Sequence, residues 1–177
     1  GLGDVYKRQE TELSGLLVND SQELAGSITL LDLARNRSGI ANYYQLKRLD
    51  PNADVSSITR QDPGWTFQDV LELTKSLPNE LSKVSERASY SFTNYQILSE
   101  VLERVTGRDL GDLFAEYVFS PAAMSQSFLL SSQNQNKFSG LAPVLYGRKL
   151  YLGAARIASL RGEGGLISTN SDLIGFM

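Results

Sequence analysis

The feature that most constrains the fold is a stripe of apolar residues with helical spacing within residues 94–106. The stripe consists of Ile97, Leu98, Val101, Leu102 and Val105. Side chains that repeat every three or four positions lie on one face of an α-helix, which must then pack against a core. Glu100 and Arg104 can pair on the opposite face, which stabilises a helix by about 0.3 kcal/mol. Because Gly107 favours the left-handed conformation that ends helices, we predict a helix over residues 94–106.

Further helix starts share one capping chemistry, in which Thr or Asp is followed three residues later by Asp. The pairs are Thr29 with Asp32, Thr66 with Asp69, Asp109 with Asp112, and Thr169 with Asp172. The first side chain can accept a backbone N–H, and the acid is favourable in the first turn. Pro121 is expected to end the helix that starts near Asp109. Strand-like segments are sparse, at residues 141–146, 150–152 and 166–167, so the sequence predicts a largely helical region.

Composition narrows the chemistry that the chain can perform. With 177 residues and 41% hydrophobic content, the chain can form the core of one domain. The net charge of −3 provides no basic surface, so nucleic acid is not an expected partner, and no apolar run approaches the length of a membrane span. The sequence contains no cysteine and no histidine. Catalysis would therefore use hydroxyl groups, Lys, Tyr or carboxylates, and we expect no cofactor or metal ion.

Both ends of the chain suggest that it is part of a longer protein. The chain begins with Gly1 rather than Met and ends at Met177 within an apolar, periodic stretch. Residues 1–9 resemble translated sequencing-adaptor sequence, so we expect them to be non-native; the alternative is a flexible native terminus. We expect residues 10–177 to form a partial domain that is truncated at both ends.

Tyr90 is the candidate catalytic residue. It lies between a polar loop and the start of the predicted helix. A tyrosine at such a junction can project its phenol into a cleft while the helix holds the backbone in place. The alternative is a core tyrosine whose hydroxyl group is hydrogen-bonded inside the protein.

Two neighbouring segments carry a family resemblance: Tyr-Ser-Phe-Thr-Asn-Tyr-Gln-Ile-Leu at residues 90–98 and Glu-Arg-Val-Thr-Gly at residues 103–107. They resemble the second motif of class C beta-lactamases, DD-peptidases and related esterases, which has the pattern Tyr-x-Asn before a helix that ends near Thr-Gly. Other segments of this family are matched in the same order at residues 28–40, 114–124 and 162–173. The chain is therefore identified as a member of the beta-lactamase and penicillin-binding-protein group.

The resemblance implies an α+β serine-hydrolase fold of the beta-lactamase/transpeptidase type, of which this chain covers mainly the helical region. It also implies acyl transfer through an acyl-serine, with Ser-x-x-Lys supplying nucleophile and base and Tyr90 relaying protons. No serine in the sequence is followed three positions later by lysine. We therefore expect the nucleophile to lie outside these residues and the chain alone to be inactive. The expected substrate is a small molecule, peptide or ester, namely a beta-lactam, a D-alanyl peptide or a simple ester, and the expected location is periplasmic or secreted, by analogy.

Phe92 departs from the family pattern, because relatives place an asparagine at this position. A phenyl ring cannot form the hydrogen bonds of an amide. The alternative function is therefore that of a catalytically inactive relative, which acts as a binding or cell-wall-interaction module. An unrelated helical interaction protein is a third possibility. Asn94 cannot take the place of the missing asparagine, since two positions along a helix turn a side chain by about 200°, and we expect it to cap the helix.

Three other features have structural interpretations. Asn36 stands where relatives often have histidine, and we predict a structural role for it. The glycines at residues 162–165 favour a tight turn over a phosphate-binding loop, because no Lys-Ser or Lys-Thr follows. The aromatic side chains Tyr43, Tyr44 and Trp65 could line a substrate cleft, but packing in the core or at its rim is the favoured interpretation.

Overall fold

The computed structural model describes residues 28–43, 64–76, 87–142, 145–146, 149–150 and 153–177. The helices are α1 (Leu30–Ala34), α2 (Phe67–Ser76), α3 (Phe92–Thr106), α4 (Leu110–Phe114), α5 (Ala154–Ser159) and α6 (Asn170–Phe176), with a π-helical turn at Ala115–Phe119 and 3-10 turns at Gln135–Gly140 and Arg161–Glu163. The strands are β1 (Phe128–Leu129), β2 (Leu145–Tyr146), β3 (Lys149–Leu150) and β4 (Leu166–Ile167). Residues 1–9, which were predicted to be non-native, lie outside the described residues.

The predicted capping chemistry is present at the starts of α1 and α2. The Thr29 hydroxyl oxygen accepts a hydrogen bond from the Asp32 backbone nitrogen at 3.2 Å, and the Asp32 carboxylate accepts from the Thr29 nitrogen at 2.9 Å. Thr66 and Asp69 form the same reciprocal pair, at 3.2 and 2.7 Å. Each pair satisfies backbone N–H groups that a helix leaves without an internal partner. The two predicted helix starts are thus confirmed.

At the starts of α4 and α6, the acidic side chains Asp109 and Asp172 form different hydrogen bonds. Asp109 caps α4 by accepting from the Gly111 nitrogen at 2.7 Å. Thr169 caps α6, but the buried Asp172 carboxylate accepts from the Gln126 nitrogen at 2.8 Å and from the Ser127 hydroxyl at 2.7 Å. The acid in the first turn of α6 therefore joins this helix to the residues that precede β1.

The long helix α3 begins two residues before the predicted start and ends as predicted at Gly107, whose φ is 66°. Ile97 and Val101 are buried in a core with Ile28 and Leu33. Leu102 and Val105 remain about half exposed, so only part of the predicted apolar stripe is covered in the described structure. The predicted ion pair between Glu100 and Arg104 is present.

The described strands form two small antiparallel pairs. β1 pairs with β4, with Phe128 opposite Ile167, and the Leu130 nitrogen extends this pairing to the Gly165 oxygen at 2.9 Å. β2 pairs with β3. The strand predicted at residues 166–167 is confirmed. β2 and β3 overlap the strands predicted at 141–146 and 150–152, of which residues 143–144 and 151–152 lie outside the described residues. β1 was not predicted; it is two residues long and pairs with a strand that is distant in the sequence.

The glycine-rich segment after α5 lies directly against α3. The Gly162 nitrogen donates to the Ser99 hydroxyl oxygen at 3.2 Å, and a Cβ at position 162 would lie 2.4 Å from that oxygen. Arg161 donates to the carboxylates of Glu100 and Glu103 on the same helix. The predicted tight turn is confirmed, and glycine allows its close approach to α3. None of the helices in the described ranges is long and apolar enough to span a bilayer.

Gly64 and Gly107 form a matched pair for a stability test. Both have positive φ, 76° and 66°, but a Cβ at Gly64 would lie 2.5 Å from the Ala155 carbonyl oxygen, whereas Gly107 has nothing within 4 Å. We expect Gly107→Ala to lower the free energy of unfolding by roughly 1 kcal/mol, the cost of a left-handed alanine. Gly64→Ala should cost roughly 1–3 kcal/mol more because of the backbone clash. Urea unfolding measures both, and equal losses would contradict the packing at Gly64.

Candidate functional site

Tyr90 lies on the surface, two residues before the first residue of α3. Its side chain is 57% exposed. Its ring meets that of Phe92 edge-on, with centroids 5.2 Å apart, and lies 6.4 Å from the Tyr95 ring. The phenol is therefore accessible to a molecule in solution and is bordered by aromatic rings. Phe92 places a phenyl group beside it, where an amide would have offered hydrogen bonds.

The backbone on both sides of Tyr90 is bonded to one residue, Asn36. The Ser89 nitrogen donates to the Asn36 backbone oxygen at 2.7 Å. The Ser91 nitrogen donates to the Asn36 side-chain oxygen Oδ1 at 3.2 Å. Asn36 follows α1 and has a φ of 54°, a left-handed conformation that asparagine tolerates better than most residues. The structural role predicted for Asn36 is confirmed by these contacts.

Asn94 does not cap α3, and this expectation is wrong. It is the third residue of the helix and is 0% exposed. Its Nδ2 donates to Asn36 Oδ1 at 3.0 Å, and its Oδ1 accepts from the Ser38 hydroxyl at 2.7 Å. Asparagine is common at helix N-caps, but here these partners in a distant part of the chain hold it inside the helix.

Thr93 makes a second buried connection between α3 and residues 36–43. Its hydroxyl donates to the Ala41 carbonyl oxygen at 2.7 Å and accepts from the Tyr43 nitrogen at 3.1 Å. The roles of Thr93 and Ser38 were not predicted from the sequence. The signal that could have shown them is the run of polar residues at the start of an otherwise apolar helix, because buried polar groups require partners.

A second polar cluster surrounds Tyr43, which is 1% exposed. Its hydroxyl donates to Glu163 Oε1 at 2.5 Å, and its ring meets Trp65 edge-on at 5.4 Å. The guanidinium of the buried Arg156 lies 3.2 Å from the centre of the Trp65 ring. The packing role expected for Tyr43 and Trp65 is confirmed, whereas Tyr44 lies outside the described residues.

Burial dominates the electrostatics of this cluster. It raises the pKa of Glu163 to about 7, and hydrogen bonds from Tyr43 and Gln96 together with the charge of Arg156 offset only part of the rise. Burial and the negative charge of Glu163 also raise the pKa of Tyr43 well above its usual range. Near neutral pH, Glu163 therefore exists in both protonation states.

Two cavities lie away from Tyr90. One has a volume of about 440 Å³ and lies between the start of α2, the C-terminal half of α3, and α5; its lining includes Trp65, Glu103, Leu129 and Arg161. The other, about 230 Å³, is largely apolar and includes Leu98, Leu102 and Phe114 in its wall. Tyr90 lines neither of them. In the part of the chain that the structure describes, no group of three or more acidic side chains could hold a metal ion.

Glu163 predicts a pH dependence of stability. Because its pKa is about 7 in the folded chain and near 4.5 when unfolded, the folded state binds an extra proton between these values. Its contribution is therefore fully present below pH 4.5 and is lost as the pH rises through 7. Relative to Glu163→Gln, which keeps the acceptor for Tyr43, the wild-type chain should lose about 3 kcal/mol across this range. Urea unfolding at several pH values measures the difference, and a difference that does not vary with pH would contradict the burial of Glu163.

Two relatives match part of this chain within a longer protein. The family model for Beta-lactamase matches residues 13–177. A D-aminopeptidase of Cereibacter sphaeroides is 35% identical over 103 residues, which cover 58% of this chain and 19% of that protein. A D-aminopeptidase of Brucella ovis is 33% identical over 105 residues, 59% of this chain and 19% of that protein. The match thus spans about a fifth of the length of these relatives.

Solved structures show the same fold over nearly all of the chain. The D-amino acid amidase of Ochrobactrum anthropi SV3 superposes with a TM-score of 0.66 at 16% identity, covering 97% of this chain and 53% of that one. The penicillin-binding protein homologue of Pyrococcus abyssi gives 0.58 at 17% identity, covering 96% and 40%. The predicted α+β fold is confirmed, since the described part is mostly helical with small strand pairs. The chain therefore belongs to the Beta-lactamase family, within the serine beta-lactamase/transpeptidase-like superfamily.

Proposed function

We propose that this chain forms part of a serine hydrolase that acts through an acyl-serine, with Tyr90 as its proton relay. The observation that carries the proposal is the placement of Tyr90, whose phenol is more than half exposed while the backbone on either side is hydrogen-bonded to Asn36. A proton relay must reach both the nucleophile and the leaving group, and its backbone must stay in place. The Ser-x-x-Lys nucleophile would lie outside the 177 residues.

The proposed reaction gives Tyr90 two proton transfers. The serine oxygen attacks the carbonyl carbon of the substrate, and its proton passes through the phenol or the neighbouring lysine as the new carbon–oxygen bond forms. The phenol then donates a proton to the leaving nitrogen or oxygen as the bond to the carbonyl carbon breaks. Water then attacks the carbonyl carbon of the acyl-serine and gives a proton to the phenol relay, which returns a proton to the serine oxygen as the ester bond breaks.

Among the expected substrates, the relatives favour an amide or peptide bond at a D-configured residue. Two of the similar proteins are named D-aminopeptidases, and a structural neighbour is a D-amino acid amidase. A leaving nitrogen needs a proton more than the leaving oxygen of an ester does, which suits a chain that offers an accessible phenol. Hydrolysis of a D-alanyl amide is therefore the first reaction to test.

The contact between Phe92 and Tyr90 favours a second candidate function, a catalytically inactive relative that binds its ligand without turnover. The phenyl ring lies 5.2 Å from the phenol ring and occupies the position of the family asparagine. It offers no hydrogen bond to orient a substrate. A cell-wall peptide would then be a ligand rather than a substrate.

Replacement of Tyr90 tests the proton relay in the full-length protein that carries this segment. Tyr90→Phe should lower kcat for a D-alanyl amide by about 10²- to 10³-fold, because a phenyl ring cannot transfer protons. Tyr95→Phe is the matched control: its hydroxyl donates to the Ala34 carbonyl oxygen at 3.3 Å, and we expect kcat within about twofold of wild type. Equal effects of the two changes would refute a catalytic role for Tyr90.

Replacement of Phe92 separates the two candidate functions. Phe92→Asn restores an amide beside Tyr90 and should raise the rate of labelling by a fluorescent penicillin or fluorophosphonate by roughly tenfold, the effect of one hydrogen bond of about 1.4 kcal/mol. If the folded wild-type protein and this variant both remain unlabelled while the wild type binds a D-alanyl peptide, the binding module is favoured and the enzyme is refuted.

A further inference from the structure

Asn36 is the only residue in the described ranges that bonds to the backbone on both sides of Tyr90. Its main-chain oxygen holds the Ser89 nitrogen, and its side-chain oxygen holds the Ser91 nitrogen. These bonds join Tyr90 to a segment more than fifty positions earlier in the sequence. The Phe92 and Tyr95 rings border the Tyr90 ring, but more than half of the side chain is exposed, so the position of the phenol depends also on the backbone that carries it.

The side chain of Asn36 is itself fixed by a hydrogen bond from the buried Asn94. Asn94 Nδ2 donates to the same Oδ1 atom that accepts from Ser91, at 3.0 Å. The buried Ser38 hydroxyl in turn fixes Asn94 through a bond of 2.7 Å. The acceptor atom therefore has two donors, one from the segment with Tyr90 and one from the interior of α3. Both donors are satisfied only when the Asn36 side chain points Oδ1 toward the Ser91 nitrogen and Asn94 Nδ2.

Asparagine meets two demands at this position. At a φ of 54°, most residues with a side chain would destabilise the fold. Glycine adopts this conformation freely, but it has no side-chain acceptor. Asparagine tolerates this conformation and has an amide oxygen. This combination distinguishes Asn36 from a residue that merely ends a helix.

We propose that Asn36 is a positioning residue for the Tyr90 phenol. It acts through the Ser89 and Ser91 amides and touches neither substrate nor reacting atoms. The inference rests on the proposed function, because the reaction that the phenol would serve is that of the same site. The hydrogen bonds on which the inference rests can be tested in the full-length protein without any measurement of activity.

Amide hydrogen exchange in the full-length protein that carries this segment tests the hydrogen bonds between Asn36 and the backbone beside Tyr90. Asn36→Gly keeps the left-handed conformation and removes the acceptor, so exchange at Ser91 should accelerate by about tenfold, whereas Ser89, bonded to a main-chain oxygen, should change much less. Asn36→Asp keeps an acceptor oxygen and should restore the wild-type rate at Ser91. Thr169→Ala removes a distant helix cap and controls for general loss of stability. Unchanged exchange at Ser91 in Asn36→Gly overturns the proposal.

The wild-type chain provides a measurement that does not depend on whether a variant folds. Ser91 is the residue before the first turn of α3, where a backbone N–H without a tertiary partner exchanges freely with water. We expect its exchange to be slowed at least about tenfold relative to an unstructured peptide. An unprotected Ser91 amide would also overturn the proposal.

Kinetics in the full-length enzyme separate positioning from general support. Asn36→Gly should lower kcat about tenfold with KM nearly unchanged, and Asn36→Asp should recover most of it. In the Tyr90→Phe background, Asn36→Gly should lower kcat no further, because it acts through the phenol. An equal loss in both backgrounds refutes positioning. If Tyr90→Phe alone leaves kcat unchanged, the proposed function fails, whereas the exchange result at Ser91 stands independently.

Discussion

The described structure depends on buried hydrogen bonds that join residues 36–43 to the first turn of α3. Thr93 and Asn94 project from the helix and form hydrogen bonds with this segment. Removal of one partner would leave a buried polar group unsatisfied, at a cost of about 1–3 kcal/mol. The same bonds specify how α3 sits against the segment, and Tyr90 lies where the two meet.

The helices of this chain could be predicted largely because their ends depend on local chemistry. Thr29, Thr66 and Asp109 cap helices with groups two or three residues away, and Gly107 ends α3 by its own conformation. These interactions need no knowledge of the rest of the fold. β1 could not be predicted in this way, since its extended backbone depends on pairing with β4, nearly forty residues later.

The candidate site was predictable only in part, for the same reason. The junction at Tyr90 is visible in the sequence, and the family resemblance draws attention to it. Asn94 was mistaken for a cap because its partners, Asn36 and Ser38, are 58 and 56 positions away. The burial of Glu163 likewise follows from packing around Tyr43 and has no local signature. What sequence reasoning lacked was the identity of distant hydrogen-bond partners rather than the type of each residue.

The hydrogen bond between Tyr43 and Glu163 has a consequence for the order in which the protein can mature. The two residues are separated by 120 positions, so a ribosome must add nearly all of the described chain before Tyr43 meets its partner. Contacts of such long range slow folding, because a large loop must close before they form. Until then the indole of Trp65 lacks the neighbouring Arg156 as well. During synthesis the packing of Tyr43 and Trp65 can therefore be completed only after the chain has reached Glu163.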